Sequence, residues 1–476
     1  MARADFIFRN AEIYDGTGAA PSKGDVAITG DRIVGVGALA SLTADKEVDA
    51  KGKALAPGFI DVHTHDDRYL LDQPAVPAKT SQGVTSVVIG NCGFSMAPYT
   101  RAEIERDNWF VSDRSTAFPT VADYVGRLAK TPPALNVAIL VGHNSLRANT
   151  MSDLGQPASD AELAAMQSQL REAMDAGAIG LSSGLFYPPG RAATTQEVTA
   201  LASVMAKDDG LYTAHIRDER ERVLEAIDEA AQIGRDAGVR VVISHHKTAG
   251  RANFGRTVET LALIARLQKH QELGLDVYPY IASSTVMLPD YVESADKVTI
   301  TWCKGRPEFS GRDLDTVARE LGLSRVEAAK AVLPAGAIYF QMSEDDVRRV
   351  MQYPGAMIGS DGLPWDSIPH PRLWGTFPRV LGHYARDEKI MSLPEAVHRM
   401  TGRPAAQFKL KDRGGIKVGA FADLVLFDKD TVIDTATFDK PEQPAAGIEL
   451  VMVNGQIVWQ DGRETGARAG GVLQRA

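Results

Sequence analysis

His63 and His65 stand two residues apart in the run Ala-Pro-Gly-Phe-Ile-Asp-Val-His-Thr-His-Asp-Asp, 56–67. The apolar Phe59, Ile60 and Val62 predict a short buried strand, and side chains i and i+2 on a strand share a face. Both imidazoles then project together from the strand's end, as a pair of metal ligands would. Two histidines alone would read as polar loop residues. Their weight comes from further soft and borderline ligands at the ends of later apolar runs. Cys92 lies in Gly-Asn-Cys-Gly, 90–93, and His215 follows Ala214. His245 and His246 lie in Ser-His-His-Lys, 244–247, and Asp361 lies in Gly-Ser-Asp-Gly, 359–362.

Each of these has a different use. A thiolate binds zinc tightly and can bridge two ions, imidazole nitrogens complete a tetrahedron, and a carboxylate alternates between ligand and base. Adjacent strand residues face opposite sides, so only one of His245 and His246 points inward. His245 is the inward choice because Lys247 shares its face, which leaves His246 to pack outside or orient a neighbour. Beside an activated water, Asp361 is suited to take a proton and return it to a leaving nitrogen. His143, after the third strand, fits a pocket position and a structural one equally well. Cys303 lies away from all these ends and reads as a buried hydrophobe.

The elements that must position these residues alternate along the chain. Apolar strands are predicted at 58–62, 85–89, 137–141, 179–182, 211–214, 239–244, 273–277 and 356–359. Helix signals lie between them. Ser159 and Glu162 form a capping box opening a helix over 160–176, with Gly177 as its stop. A second helix is predicted over 219–237, before Gly238. Eight strands with intervening helices give an α/β fold, a (β/α)8 TIM barrel whose chemistry sits at the C-terminal strand ends. The roughly 75 residues between strands seven and eight exceed a normal connection and predict an insertion at about 285–342, a candidate lid. Short alternating segments at both chain ends, with Asn454-Gly455 as a hairpin signal, predict one small split β-sandwich domain. The expected division is 1–55 with 416–476 for that domain, and 56–415 for the barrel.

At 476 residues, with 44% hydrophobic and 24% charged residues, the composition is that of a globular protein. The net charge of −9 contains no basic run, which argues against nucleic acid or anionic membrane and for a small-molecule substrate. Neither a signal-peptide h-region nor an apolar run of spanning length occurs, and two distant cysteines make no disulfide framework, so a cytoplasmic location is expected. Oligomeric state is left open.

The motifs PGFIDVHTHDD (57–67), GNCG (90–93), GAIGLSSGLFYPP (177–189), HIRDE (215–219), ISHHK (243–247), YPY (278–280), IGSDGLP (358–364) and HPRLWGTFPRVLGHYARD (370–387) together resemble the amidohydrolase superfamily. Within it the resemblance is to the D-aminoacylases, or N-acyl-D-amino-acid deacylases, and it runs essentially end to end. It implies a tight zinc on Cys92, His215 and His245. A weaker second site would use His63 and His65, with Cys92 bridging and Asp361 nearby. It further implies that Asp361 is general base and acid, and that Tyr187, Lys247, Tyr278, Ser284 and Arg372 surround the substrate. Arg372 offers a planar fork for an α-carboxylate, and Lys247, Tyr278 and Ser284 add donors.

The implied reaction is hydrolysis of an N-acyl-D-amino acid to a carboxylate and a free D-amino acid. A metal-bound hydroxide attacks the amide carbonyl with help from Asp361. Val286, Met287 and Leu288 lend the 281–289 segment an apolar character, so hydrophobic side chains are expected. The alternative is a cyclic-amide hydrolase of hydantoinase or dihydroorotase type, which would need a metal-bridging carboxylated lysine where this chain has Cys92. A non-catalytic module would be marked by loss of ligands, and all six are present.

Overall fold

The computed structural model describes residues 3–99 and 118–473. Eight parallel strands, paired in chain order, form one sheet that curls into a barrel. They are β1 (Phe59–Asp61), β2 (Val84–Ile89), β3 (Asn136–Gly142), β4 (Gly180–Gly184), β5 (Leu211–His215), β6 (Arg240–Ile243), β7 (Leu273–Val277) and β8 (Ala356–Ile358). Every residue in them is buried. Helices cover the outer face and side chains fill the inner one, which is why these strands read as continuous apolar runs. Ile60, Val88, Leu140, Val242 and Met357 belong to the interior cluster, which Phe408, Leu410 and Leu473 complete.

The seam between β1 and β8 closes just beyond the strands. Thr64 bridges Gly362, and the Asp361 N–H donates to the His63 carbonyl at 2.8 Å. Lys79, fully buried, pins the same seam by donating to Asp61 Oδ2 (2.8 Å) and Ser360 Oγ (2.6 Å). Closure thereby brings His63, His65 and Asp361 together from opposite ends of the barrel sequence.

The helix Asp160–Asp175 carries the expected capping box, and Gly177 has φ +105°. The second predicted helix is shorter than expected, running Val223–Ala237 rather than from 219. Asp218 Oδ1 accepts the backbone N–H of Arg220 (2.6 Å) and of Arg222 (3.4 Å). An aspartate that satisfies backbone donors in this way favours a turn over a helix. Glu219 and Arg220 are held beside the strand end as a result.

Between β7 and β8 the chain builds an antiparallel sheet of Ala282–Val286, Ala335–Phe340 and Lys297–Cys303, with helices Leu314–Leu321 and Arg325–Ala331. This insertion has its own core, which includes Met287, Ile300, Phe309 and Tyr339. Cys303 lies in that core, its Sγ 3.2 Å from the Val332 carbonyl. The two chain ends share a nine-stranded sheet, in which Leu424–Phe427 pairs antiparallel with Ala54–Pro57. Asn454 (φ +46°) and Gly455 (φ +78°) make the turn between Ile448–Val453 and Gln456–Gln460, both in the region that a type I′ turn requires.

Candidate active site

Cys92, His245 and Asp361, at the ends of β2, β6 and β8, all have left-handed backbones, with φ of +54°, +36° and +51°. Non-glycine residues take this region at a cost, and at strand ends the cost serves to aim a side chain. Strand alternation is therefore not what separates His245 from His246, since β6 has already ended at Ile243. A turn directs them: the His245 N–H donates to Asp276 Oδ1 (2.9 Å) and the His246 N–H to the Asp276 carbonyl (2.7 Å). His246 is directed to Thr260 Oγ1, 2.8 Å from its Nε2. Close backbone approach surrounds Cys92, because a Cβ at Gly184 would lie 2.1 Å from the Cys92 carbonyl oxygen.

Two groups of donors meet here with their ligand atoms within 4.8 Å of one another. One is His63, His65, Cys92 and Asp361, and the other is Cys92, His215 and His245. Cys92 is common to both. Its Sγ is 3.2 Å from His63 Nε2 and 3.4 Å from His245 Nε2. Asp361 Oδ1 lies 3.2 Å from His65 Nε2 and 3.5 Å from His63 Nε2. Neither ring nitrogen of His215 has a hydrogen-bond partner among the described residues, although the ring is buried. Orphaned buried nitrogens beside a thiol are what a metal ion would satisfy.

The electrostatics agree. Burial opposes a charged Cys92, yet the neighbouring His63 and His245 hold its thiol well below the ordinary value, in the thiolate form a metal needs. Burial, and then the charge of His245, keep His215 neutral and able to ligate. Burial would also raise Asp361, but the Arg372 guanidinium, His245 and His65 pull it well below the usual carboxylate range. It is poised as an anion.

Asp361 Oδ2 accepts from Arg372 Nη2 at 3.0 Å, and the same nitrogen lies 3.1 Å from the Ser284 carbonyl. Arg372 is fully buried, stacks 4.5 Å from the Tyr278 ring centroid and leaves Nε and Nη1 without partners. Lys247 Nζ lies 5.5 Å from the same ring and 2.8 Å from His245 Nδ1. The Tyr187 ring packs 4.8 Å from His215, and its hydroxyl is 3.1 Å from Thr285 Oγ1. Ser284 Oγ is 3.5 Å from Asp366. Tyr187, Lys247, Tyr278, Ser284 and Asp361 line one cleft. Of the three apolar residues expected to shape it, Leu288 lines the cleft while Met287 is buried in the insertion's core.

Sequence reasoning missed the residues that support this set. Glu219 accepts from Lys247 Nζ (2.6 Å) and lies 3.2 Å from His245 Nδ1. Asp276 Oδ2 lies 3.4 Å from His63 Nδ1. Carboxylates behind ligating imidazoles fix ring orientation and tautomer. His143 belongs to neither donor group. Its Nε2 is 2.9 Å from Glu197 Oε1, which Arg147 also holds, in a buried cluster.

Residues 46–459 match the model of the amidohydrolase family. A D-aminoacylase from Alcaligenes xylosoxydans xylosoxydans is 49% identical over 472 residues, covering 99% of this chain and 98% of that protein. The crystal structure of a D-aminoacylase superimposes with a TM-score of 0.96 at 48% identity, over 99% of this chain and 100% of that one. An N-acyl-D-glutamate deacylase from Bordetella bronchiseptica, complexed with zinc and a phosphonate mimic of the tetrahedral intermediate, does so with a TM-score of 0.95. It is 44% identical, over 99% and 100% of the two chains.

Proposed function

The chain belongs to the amidohydrolase family, and from that premise we propose that it hydrolyses N-acyl-D-amino acids to a carboxylate and a free D-amino acid. One observation carries the reading: a single carboxylate, Asp361, bridges the metal donors and a buried, half-satisfied arginine behind the cleft. A substrate whose α-carboxylate takes the free N–H groups of Arg372 has its amide next to Asp361. Identity of 49% with a D-aminoacylase supports the D series.

Cys92, His215 and His245 would hold a tight zinc ion, and His63 and His65, with Cys92 shared and Asp361 nearby, a weaker one. When bound, the metal polarises the acyl carbonyl and makes water nucleophilic near neutrality. The chain's own residues do the rest. Asp361, anionic and unable to stray because Arg372 holds its other oxygen, takes the proton of the attacking water. It then gives that proton to the departing nitrogen. Glu219 fixes Lys247 and His245, so that Lys247, Tyr278 and Ser284 present donors to the substrate carboxylate. Phe186 and Leu288 line the cleft and favour apolar side chains such as those of D-Met, D-Leu and D-Phe. Two free cysteines suit a reducing compartment, and the cytoplasm is the proposed location.

The test is release of free amino acid from N-acetyl-D-Met and N-acetyl-L-Met by wild type and Asp361→Ala, each with metal analysis. Release from the D enantiomer only, lost in a variant that retains zinc, is the expected result. Zinc-loaded wild type that releases nothing from either enantiomer would overturn the reading.

A further inference from the structure

Arg372 presents a usable fork only if two separate pieces of chain keep their spacing. Its backbone opens the helix Arg372–Arg379 after β8, whereas the carbonyl that anchors its Nη2 belongs to Ser284, on the first strand of the insertion. The residue that joins the two is His370. The Arg372 N–H donates to His370 Nδ1 at 3.0 Å, and His370 Nε2 lies 3.0 Å from the Ala282 carbonyl, two residues before Ser284 on the same strand. One ring thus ties the start of the helix to the strand.

These partners leave the ring a single arrangement. A backbone N–H only donates and a carbonyl only accepts, so Nδ1 is bare, Nε2 carries the proton and the ring is neutral. Burial, and then the charge of Arg372, hold it there, well below the ordinary histidine range. The ring is buried and makes edge contacts with Tyr280 and Phe438, at centroid distances of 5.1 and 4.9 Å. Turning it would break both hydrogen bonds. The helix gains as well, since its first N–H is one that no turn of its own can satisfy.

We propose that His370 is a positioning residue for substrate binding. It holds the helix that carries Arg372 and the strand that carries Ser284 at one spacing, so that Nε and Nη1 of the guanidinium are aimed before a substrate carboxylate arrives. His370 itself touches no substrate. This rests on the deacylase reading above and deepens its carboxylate site. The two ring nitrogens can be tested apart. Asparagine keeps an acceptor for the N–H two residues on but falls short of Ala282, while glutamine keeps a donor toward Ala282 but leaves the Arg372 N–H without its acceptor.

The experiment measures KM and kcat for N-acetyl-D-Met in wild type, His370→Asn, His370→Gln and His370→Phe, and repeats His370→Phe in an Arg372→Lys background. His370→Phe should raise KM by about tenfold, the scale of one hydrogen bond to a charged group, and lower kcat by less. His370→Asn and His370→Gln, each retaining one bond, should fall between it and wild type. In Arg372→Lys, which has no planar fork to aim, His370→Phe should add less than about twofold, because the two residues act through one contact. A merely structural role would multiply the two effects. If His370→Phe does not fold, His370→Asn carries the same cycle. An unchanged KM, or the same fold-rise in both backgrounds, overturns the proposal and leaves deacylation standing. Wild type that turns over no N-acyl-D-amino acid overturns the deacylase reading itself.

Discussion

Arg372 divides its N–H groups between two tasks. Nη2 holds Asp361 and the Ser284 carbonyl, while Nε and Nη1 stay unpartnered in a fully buried position. A lysine could supply one of these contacts but not the planar pair. Arg372→Lys should therefore raise KM for N-acetyl-D-Met by about 10- to 100-fold, as expected from losing one charged hydrogen bond of roughly 1.5–3 kcal/mol. The N-acetyl amine lacking the α-carboxylate should show no such increase between the two proteins, and an equal increase for both compounds would remove Arg372 from carboxylate binding. In the sequence this residue was visible only through the family resemblance. The metal donors announced themselves, because His, Cys and Asp at the ends of apolar runs are conspicuous types in a conspicuous place. Glu219, Asp276 and Lys79 gave no such signal. Their positions matter through contacts spanning from 18 residues (Lys79 to Asp61) to 281 (Lys79 to Ser360), and nothing local marks a carboxylate or cation for such a partner.

The segment after β8 shows how an element can carry a titration. Asp366 lies in it, 5% exposed, near Ser284 Oγ and with Oδ1 unpartnered. Burial raises its carboxyl to about 7 against the lowering effects of hydrogen bonds and of the Arg372 charge. A carboxyl that binds its proton more tightly folded than unfolded costs stability as pH rises from its unfolded value, near 4, to its folded one. Below that window the proton is bound in both states; above it Asp366 must ionise in place. Asp366→Asn removes this dependence. Relative to wild type, the variant should gain roughly 2–3 kcal/mol between pH 5 and pH 8, two pKa units of the window at 1.36 kcal/mol each. Urea unfolding at the two pH values measures this, and a difference that does not change with pH would show that Asp366 is not held protonated. The barrel strands and the capped helix 160–175 were legible because local pattern and tertiary role coincide there. The start of the helix at Val223 was not, because Asp218 spends its side chain on a turn whose purpose lies in the cleft.

At the scale of the whole molecule, the donor groups gather residues from β1, β2, β5, β6 and β8 at one end of the barrel, across its least continuous seam. Elsewhere neighbouring strands share three to five paired positions; beyond β1 and β8 the link is one bridge, Thr64 to Gly362, together with the buried Lys79 contacts. Without a cation, His63, Cys92 and Asp361 interact only as charged or hydrogen-bonded groups, and three left-handed residues must be held by the surrounding backbone alone. A metal bound only by the folded state adds stability as RT ln(1 + [L]/Kd), about 4 kcal/mol at 1,000 Kd. Because that energy is spent across the seam, its loss should be local before it is global. Chelation is expected to lower Tm and to speed amide exchange at 63–65, 90–93 and 359–362. The β3–β4 pairing, at Leu140 to Gly180 and Gly142 to Ser182, should keep its protection, and added zinc should restore both Tm and exchange. Cys92→Ser, which removes the ligand common to both groups, should reproduce the chelated pattern and respond to zinc far less. Uniform loss of protection around the barrel would instead mean that the metal stabilises the fold without closing it.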